Sequence, residues 1–157
     1  MVKILFSAAL ASAAFEPIGI WYFAILGFTL FFRKLGESKI PIQHSLLFGF
    51  AFNAIVLHWS GRYVGALPWL LLALLQALFY IPIGWTYKRS KSIWWSALVL
   101  LLMEELRART PFGGFGWTRV AFGQVDSAAL PIVSLGGVLA LSAFTILISI
   151  LLMKIDL

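Results

Sequence analysis

The chain has 157 residues, of which 62% are hydrophobic, 16% aromatic and only 11% charged. Soluble domains carry about 45–50% apolar and about 25% charged residues, so too few charges are present here to cover a water-facing surface. The formal charge of +6 comes from 12 Lys and Arg against 6 Asp and Glu, and it is spread along the chain rather than gathered into a nucleic-acid-binding stripe. Without cysteine, these residues hold no disulfide, thiolate metal site or thiol nucleophile. The expected fold class is all-α, a polytopic membrane helical bundle.

Uncharged stretches run from Ile4 to Phe15, Pro17 to Phe32, Ile40 to Gly61, Tyr63 to Tyr87, Ser92 to Met103 and Ser127 to Met153. A spanning helix needs about 20 predominantly apolar residues. The third, fourth and sixth stretches reach that length unaided, and the fifth reaches it only by continuing through Glu104, Glu105 and Arg107. About six transmembrane helices are expected, near 2–15, 18–33, 41–59, 67–88, 92–109 and 129–153. Lys3, Ile4–Leu10 and Ala11-Ser12-Ala13 also fit a signal peptide. However, Glu16-Pro17 leads straight into another apolar run, which favours an uncleaved first helix.

In chain order, Pro17 should turn the chain after Phe15-Glu16. His44 and His58 lie too far apart on one helix to share a metal, and neither has an HxxxH or HExxH partner. No metal site and no cofactor are expected. Asn53, near mid-span, should bond a neighbouring helix, and Gln76 could do the same. Pro68 falls in the first turn of the fourth span, whereas Pro82 should kink or interrupt it.

All six lysines, Lys3, Lys34, Lys39, Lys88, Lys91 and Lys154, fall on one side of this map, joined by Arg33 and Arg89. Arg62, Arg107, Arg109 and Arg119 fall on the other. The positive-inside rule then places both termini in the cytoplasm. Segment 110–128 becomes an outward, re-entrant or interfacial Gly/aromatic loop. At the end of the fifth helix, Glu104–Arg107 (i,i+3) and Glu105–Arg109 (i,i+4) are spaced to pair on the helix surface. Beyond them, Pro111, Gly113, Gly114 and Gly116 prevent a regular helix, yet Phe112, Phe115, Trp117 and Phe122 are strongly apolar. Such a loop suits the headgroup layer, where Arg119 could meet lipid phosphate.

Several stretches, read together and in order, carry a family resemblance. They are Phe15-Glu16-Pro17 with Trp21, Gly49-Phe50-Ala51-Phe52-Asn53 leading to Trp59, and Glu105-Leu106-Arg107. Gly114-Phe115-Gly116-Trp117, Phe122-Gly123-Gln124 with Asp126, Gly136-Gly137 and Ser142-Ala143-Phe144 follow. The chain resembles the N-terminal membrane domain of apolipoprotein N-acyltransferases, in an actinobacterial-like form. Gly116 is a departure, since many relatives have proline before the tryptophan.

The resemblance implies a bacterial, multi-pass protein of the cytoplasmic membrane. Its partners would be membrane phospholipid as acyl donor and a bacterial lipoprotein as acceptor. It also implies a nitrilase-like catalytic domain with a Glu-Lys-Cys set. No cysteine is present here, so no catalytic residue is assigned. The expected role is the membrane platform, inactive alone, either as a fragment or truncated gene product or as part of a split enzyme whose catalytic half is a separate chain. Candidates for its lipid-facing rim are Trp59, Glu105, Arg107, Trp117 and Arg119. The alternative is a stand-alone anchor or scaffold for a polyprenol-phosphate mannose synthase. A transporter would need paired polar sites at mid-membrane, for which Asn53 and Gln76 are a thin basis.

Overall fold

The computed structural model describes residues 1–155, and among these the regular structure is helical, with no strand. Eight α-helices follow one another: α1 (Val2–Ser12), α2 (Tyr22–Gly36), α3 (Pro41–Val56), α4 (Gly61–Val64), α5 (Ala66–Leu78), α6 (Ile81–Ser90), α7 (Ile93–Arg107) and α8 (Val133–Met153). Short 3-10 turns occupy His58–Ser60, Val120–Gln124 and Leu130–Ile132.

Local chemistry accounts for most of the boundaries. The turn around Pro17 delays the start of α2 to Tyr22, four residues later than the sequence pattern suggests. Pro41 opens α3, where a missing N–H costs nothing. Pro82 cannot donate to the carbonyl of Leu78, and α5 ends at that residue. The expected interruption of the fourth apolar stretch is therefore a break at Phe79–Tyr80 between α5 and α6. Lys91, in the left-handed region, ends α6, and the Ser92 hydroxyl accepts the Trp95 N–H to cap α7. In α8, Gly136 and Gly137 leave helical geometry, a break that the apolar pattern of this stretch does not reveal.

Six helical stretches thus stand near the six expected spans, but they differ in reach. Ala66–Ser90 and Leu130–Met153, with 25 and 24 residues, are long and apolar enough to cross a membrane. At about 1.5 Å per residue, each extends beyond the roughly 30 Å of a hydrocarbon core. The helices α1 and α3 are apolar but shorter, and α2 and α7 have 15 residues each, or about 22 Å. Turns at their ends, rather than charges alone, set where these helices stop.

The core lies where α2 and α3 meet. Phe28, Phe31, Phe32 and Leu35 recur at helical spacing on α2, and Phe48 and Phe52 do so on α3; all six are fully buried. The Phe31 and Phe48 rings stack with centroids 4.2 Å apart, and Phe15 meets Phe52 edge-on at 5.5 Å. Elsewhere helices come close enough to exclude a side chain. A Cβ on Gly27 of α2 would lie 2.4 Å from the Ala11 nitrogen of α1. One on Gly84 of α6 would lie 2.5 Å from the Pro41 carbonyl oxygen of α3. Small residues at such contacts are how very apolar helices gain dispersion energy from one another. The Thr29 hydroxyl adds a polar link from α2 to the Ser149 carbonyl of α8.

One end of the bundle gathers lysines. The Tyr87 hydroxyl donates to the Gly36 carbonyl at 2.6 Å, tying the end of α6 to the end of α2. Lys154 lies 5.2 Å over the Trp94 ring, bringing the end of α8 to the start of α7. Lys3 borders the same groove as Arg33 and Lys34.

Candidate functional site

The last turns of α7 carry two acid–base pairs on different faces, and the two faces meet different surroundings. Glu104 and Arg107 point inward and are 3% and 1% exposed. Arg107 Nη2 lies 3.6 Å from Glu104 Oε1, so the i,i+3 pair forms inside the protein. The same guanidinium donates through Nη1 to the Thr118 hydroxyl and through Nη2 to the Thr118 carbonyl. Gln76 Oε1 of α5 and Asn53 Oδ1 of α3 lie 3.4 and 3.5 Å from Nη1. Thr118 then donates its hydroxyl proton to Asn53 Oδ1 at 2.7 Å, and the Asn53 amide donates to the Gly49 carbonyl at 2.7 Å.

This buried network joins α3, α5 and α7 to the segment between α7 and α8. Further contacts fasten that segment along its length. Glu104 Oε1 accepts the Val120 N–H at 2.7 Å, and the Ser142 hydroxyl of α8 accepts the Ala121 N–H at 3.1 Å. The Gln124 side chain donates to the Trp21 carbonyl before α2 at 2.9 Å. The Phe115 N–H closes onto the Arg107 carbonyl at 2.7 Å. Between these anchors, Phe112, Gly113 and Gly114 all have positive φ. A Cβ on Gly114 would fall 2.2 Å from the Ala108 carbonyl, so only glycine permits this return.

The opposite face of α7 is at the surface. Glu105 accepts from Arg109 Nη2 at 3.1 Å through one oxygen and from Arg119 Nη2 through the other. An open groove of about 670 Å³ runs beside this trio, bounded by Trp117, Gly116 and Phe122. Trp117 is 64% exposed, stacks on Phe115 at 6.3 Å and meets Trp59 at 5.6 Å. Trp59 in turn meets Tyr63 at 6.3 Å, and Phe112 at the loop tip is 99% exposed. The result is an aromatic shelf beside a charged trio, held up by a buried polar lock.

Of the five residues singled out for a lipid-facing rim, Trp59 and Trp117 come together on the shelf, and Glu105 and Arg119 come together in the groove. Arg107 lies beneath the surface instead. Its side chain runs into the bundle, where Glu104 on the same helix, Asn53 of α3, Gln76 of α5 and Thr118 of the following segment are its partners. Asn53 and Gln76 carry the interhelical bonds expected of them. Thr118 carried no signal in the sequence, since a threonine in a glycine-rich loop gives no hint of its partner. The two histidines have local partners: His44 meets the Ser38 hydroxyl and His58 donates to the Ile55 carbonyl.

Fold and site together define an all-helical, strongly apolar domain with a structured aromatic loop locked to one end. The chain belongs to the family described as the apolipoprotein N-acyltransferase N-terminal domain, which it matches over residues 7–151. It is 37% identical over 70 residues to the apolipoprotein N-acyltransferase of Mycolicibacterium smegmatis, covering 42% of this chain and 12% of that protein. It is 25% identical over 160 aligned positions to the enzyme of that name from Pasteurella multocida, covering 92% of this chain and 30% of that protein. The chain therefore spans less than a third of the length of these relatives.

Proposed function

We propose that these residues form the membrane platform of an apolipoprotein N-acyltransferase, and that they do not transfer acyl groups by themselves. In this reading six helical stretches cross the bacterial cytoplasmic membrane, the shorter ones with help from their flanking turns. Both ends of the described chain face the cytoplasm. The aromatic shelf and groove face outward, where phospholipid and a lipoprotein would meet a nitrilase-like catalytic domain. That domain belongs to residues beyond these 157, in the same protein or in a separate chain.

The observation that carries the proposal is the locked loop. Two charged groups are buried, at considerable desolvation cost, to hold a loop whose outward side is aromatic. Tryptophan and arginine side by side suit the interface between hydrocarbon and phosphate. The gathering of lysines at the opposite end supports the orientation.

The test is complementation of bacteria depleted of their own acyltransferase. The chain alone should fail to restore N-acylated lipoprotein, detected by mass spectrometry of the lipopeptide. Co-expression with a catalytic half bearing the Glu-Lys-Cys set should restore it. Rescue by the chain alone would overturn the proposal.

A further inference from the structure

At the lysine-bearing end, a groove of about 420 Å³ runs between α1 and α2. Its apolar walls are Phe6 and Leu30, and its mouth carries Lys3, Arg33, Lys34 and Glu37. Helix geometry puts these groups together. Lys3 and Phe6 are i,i+3 on α1, and Leu30, Arg33, Lys34 and Glu37 follow one stripe at the end of α2. Lys34 Nζ bonds Glu37 Oε2, while Arg33 Nε stands at 4.0 Å from Glu37 Oε1. The hydrogen bond from Lys34 holds the Glu37 carboxyl below the usual carboxylate range, and the charges of Lys34, Arg33 and Lys3 act in the same direction. Three cations therefore face one carboxylate. Among the described residues, that single carboxylate is the only one at the mouth, so most of the positive charge there is left over.

A groove with apolar walls and an excess of positive charge at its mouth matches an amphiphile with an anionic head. The walls accept an acyl chain lying along the helices, and the mouth accepts phosphate oxygens. We infer that this groove is a binding site for an anionic glycerophospholipid, and that a doubly charged diphosphatidylglycerol fits it better than a singly charged phosphatidylglycerol. It is separate from the aromatic loop at the other end of the bundle. The inference rests on the proposed reading only in taking this end to lie at a membrane surface.

The test uses the full chain, purified in detergent and titrated with lipids of identical acyl chains under native mass spectrometry. Diphosphatidylglycerol should be retained most, phosphatidylglycerol less and phosphatidylcholine least. Lys3→Gln and Arg33→Gln should each weaken retention of the anionic lipids by about fivefold. Glu37→Gln should strengthen it, a gain that a misfolded variant would not produce. Arg62→Gln, at the far end and lining neither groove, should leave it unchanged. Equal retention of phosphatidylcholine, indifference to Lys3→Gln and Arg33→Gln, or weaker binding in Glu37→Gln would each overturn the inference. Full displacement of the lipid by millimolar inorganic phosphate would also overturn it, because the site would then be one for the free anion. The assay needs no acyl transfer, so its failure is distinct from a failure of complementation.

Discussion

Arg107 grips Thr118 twice, donating to its hydroxyl and to its main-chain carbonyl eleven positions along the chain. One side chain thereby fixes both the position and the direction of the backbone that leads to Arg119 and the 3-10 turn. Replacing Arg107 with alanine strands Glu104, Thr118 and Asn53 in the interior. The expected loss is about 3–5 kcal/mol, measured as a lower midpoint in detergent denaturation. Thr118→Val keeps the volume but breaks the chain of hydrogen bonds to Asn53, and should cost about 1–3 kcal/mol. In both variants limited proteolysis should cut within residues 110–119 sooner than in the parent.

Glu104 and Glu105 are chain neighbours with opposite fates. Glu104→Ala removes the partner of a buried guanidinium and the acceptor of the Val120 N–H, so a loss of about 3–5 kcal/mol is expected. Glu105→Gln releases Arg109, which is exposed, and Arg119, which is largely buried, and should cost less, about 1–2 kcal/mol. Equal effects in thermal denaturation would contradict the inward and outward assignment of the two pairs.

The close helix approaches give a steric prediction. Gly27→Ala and Gly84→Ala each force a methyl group onto the main chain of a neighbouring helix, and each should lose about 1–3 kcal/mol. Gly36→Ala provides the comparison, because its Cβ would find only the Ile93 Cδ1 at 4.0 Å. That variant should be neutral or gain up to about 1 kcal/mol through helix propensity. Folded yield and thermal midpoint of the three variants would be compared.

Trp117 is held by stacking at the surface rather than by burial. Trp117→Ala should shift stability by no more than about 0.5 kcal/mol. If the shelf positions lipid for the catalytic half, the same change should reduce acyl transfer several-fold in the co-expressed pair. An unchanged rate would remove Trp117 from the working surface. Trp59→Ala should behave similarly, since its ring lies 5.6 Å from that of Trp117.

The helices were largely legible in the sequence because charges and prolines sit at their ends. Pro82 announces the break after Leu78, and the spacing of Glu104 with Arg107 and of Glu105 with Arg109 announces both ion pairs. Helix length was less legible. Charges bound the uncharged stretches, but Gly19, Gly136 and Gly137 reshape the backbone within them without any change in hydropathy. The destination of Arg107 was not legible either. Spacing along α7 names Glu104 as a partner, whereas Thr118 arrives through three residues of positive φ whose path follows no periodicity. Trp59 and Trp117 each read as interfacial, but nothing in their separation of 58 positions brings them together.

Phe112 offers its benzyl ring almost whole to whatever lies over that end of the bundle. The residue touches little of its own protein, so a photoreactive phenylalanine placed there would disturb nothing beneath it. Crosslinks from that single ring would report the neighbour directly, as an acyl chain if the loop dips into a leaflet and as a peptide if a second domain covers it.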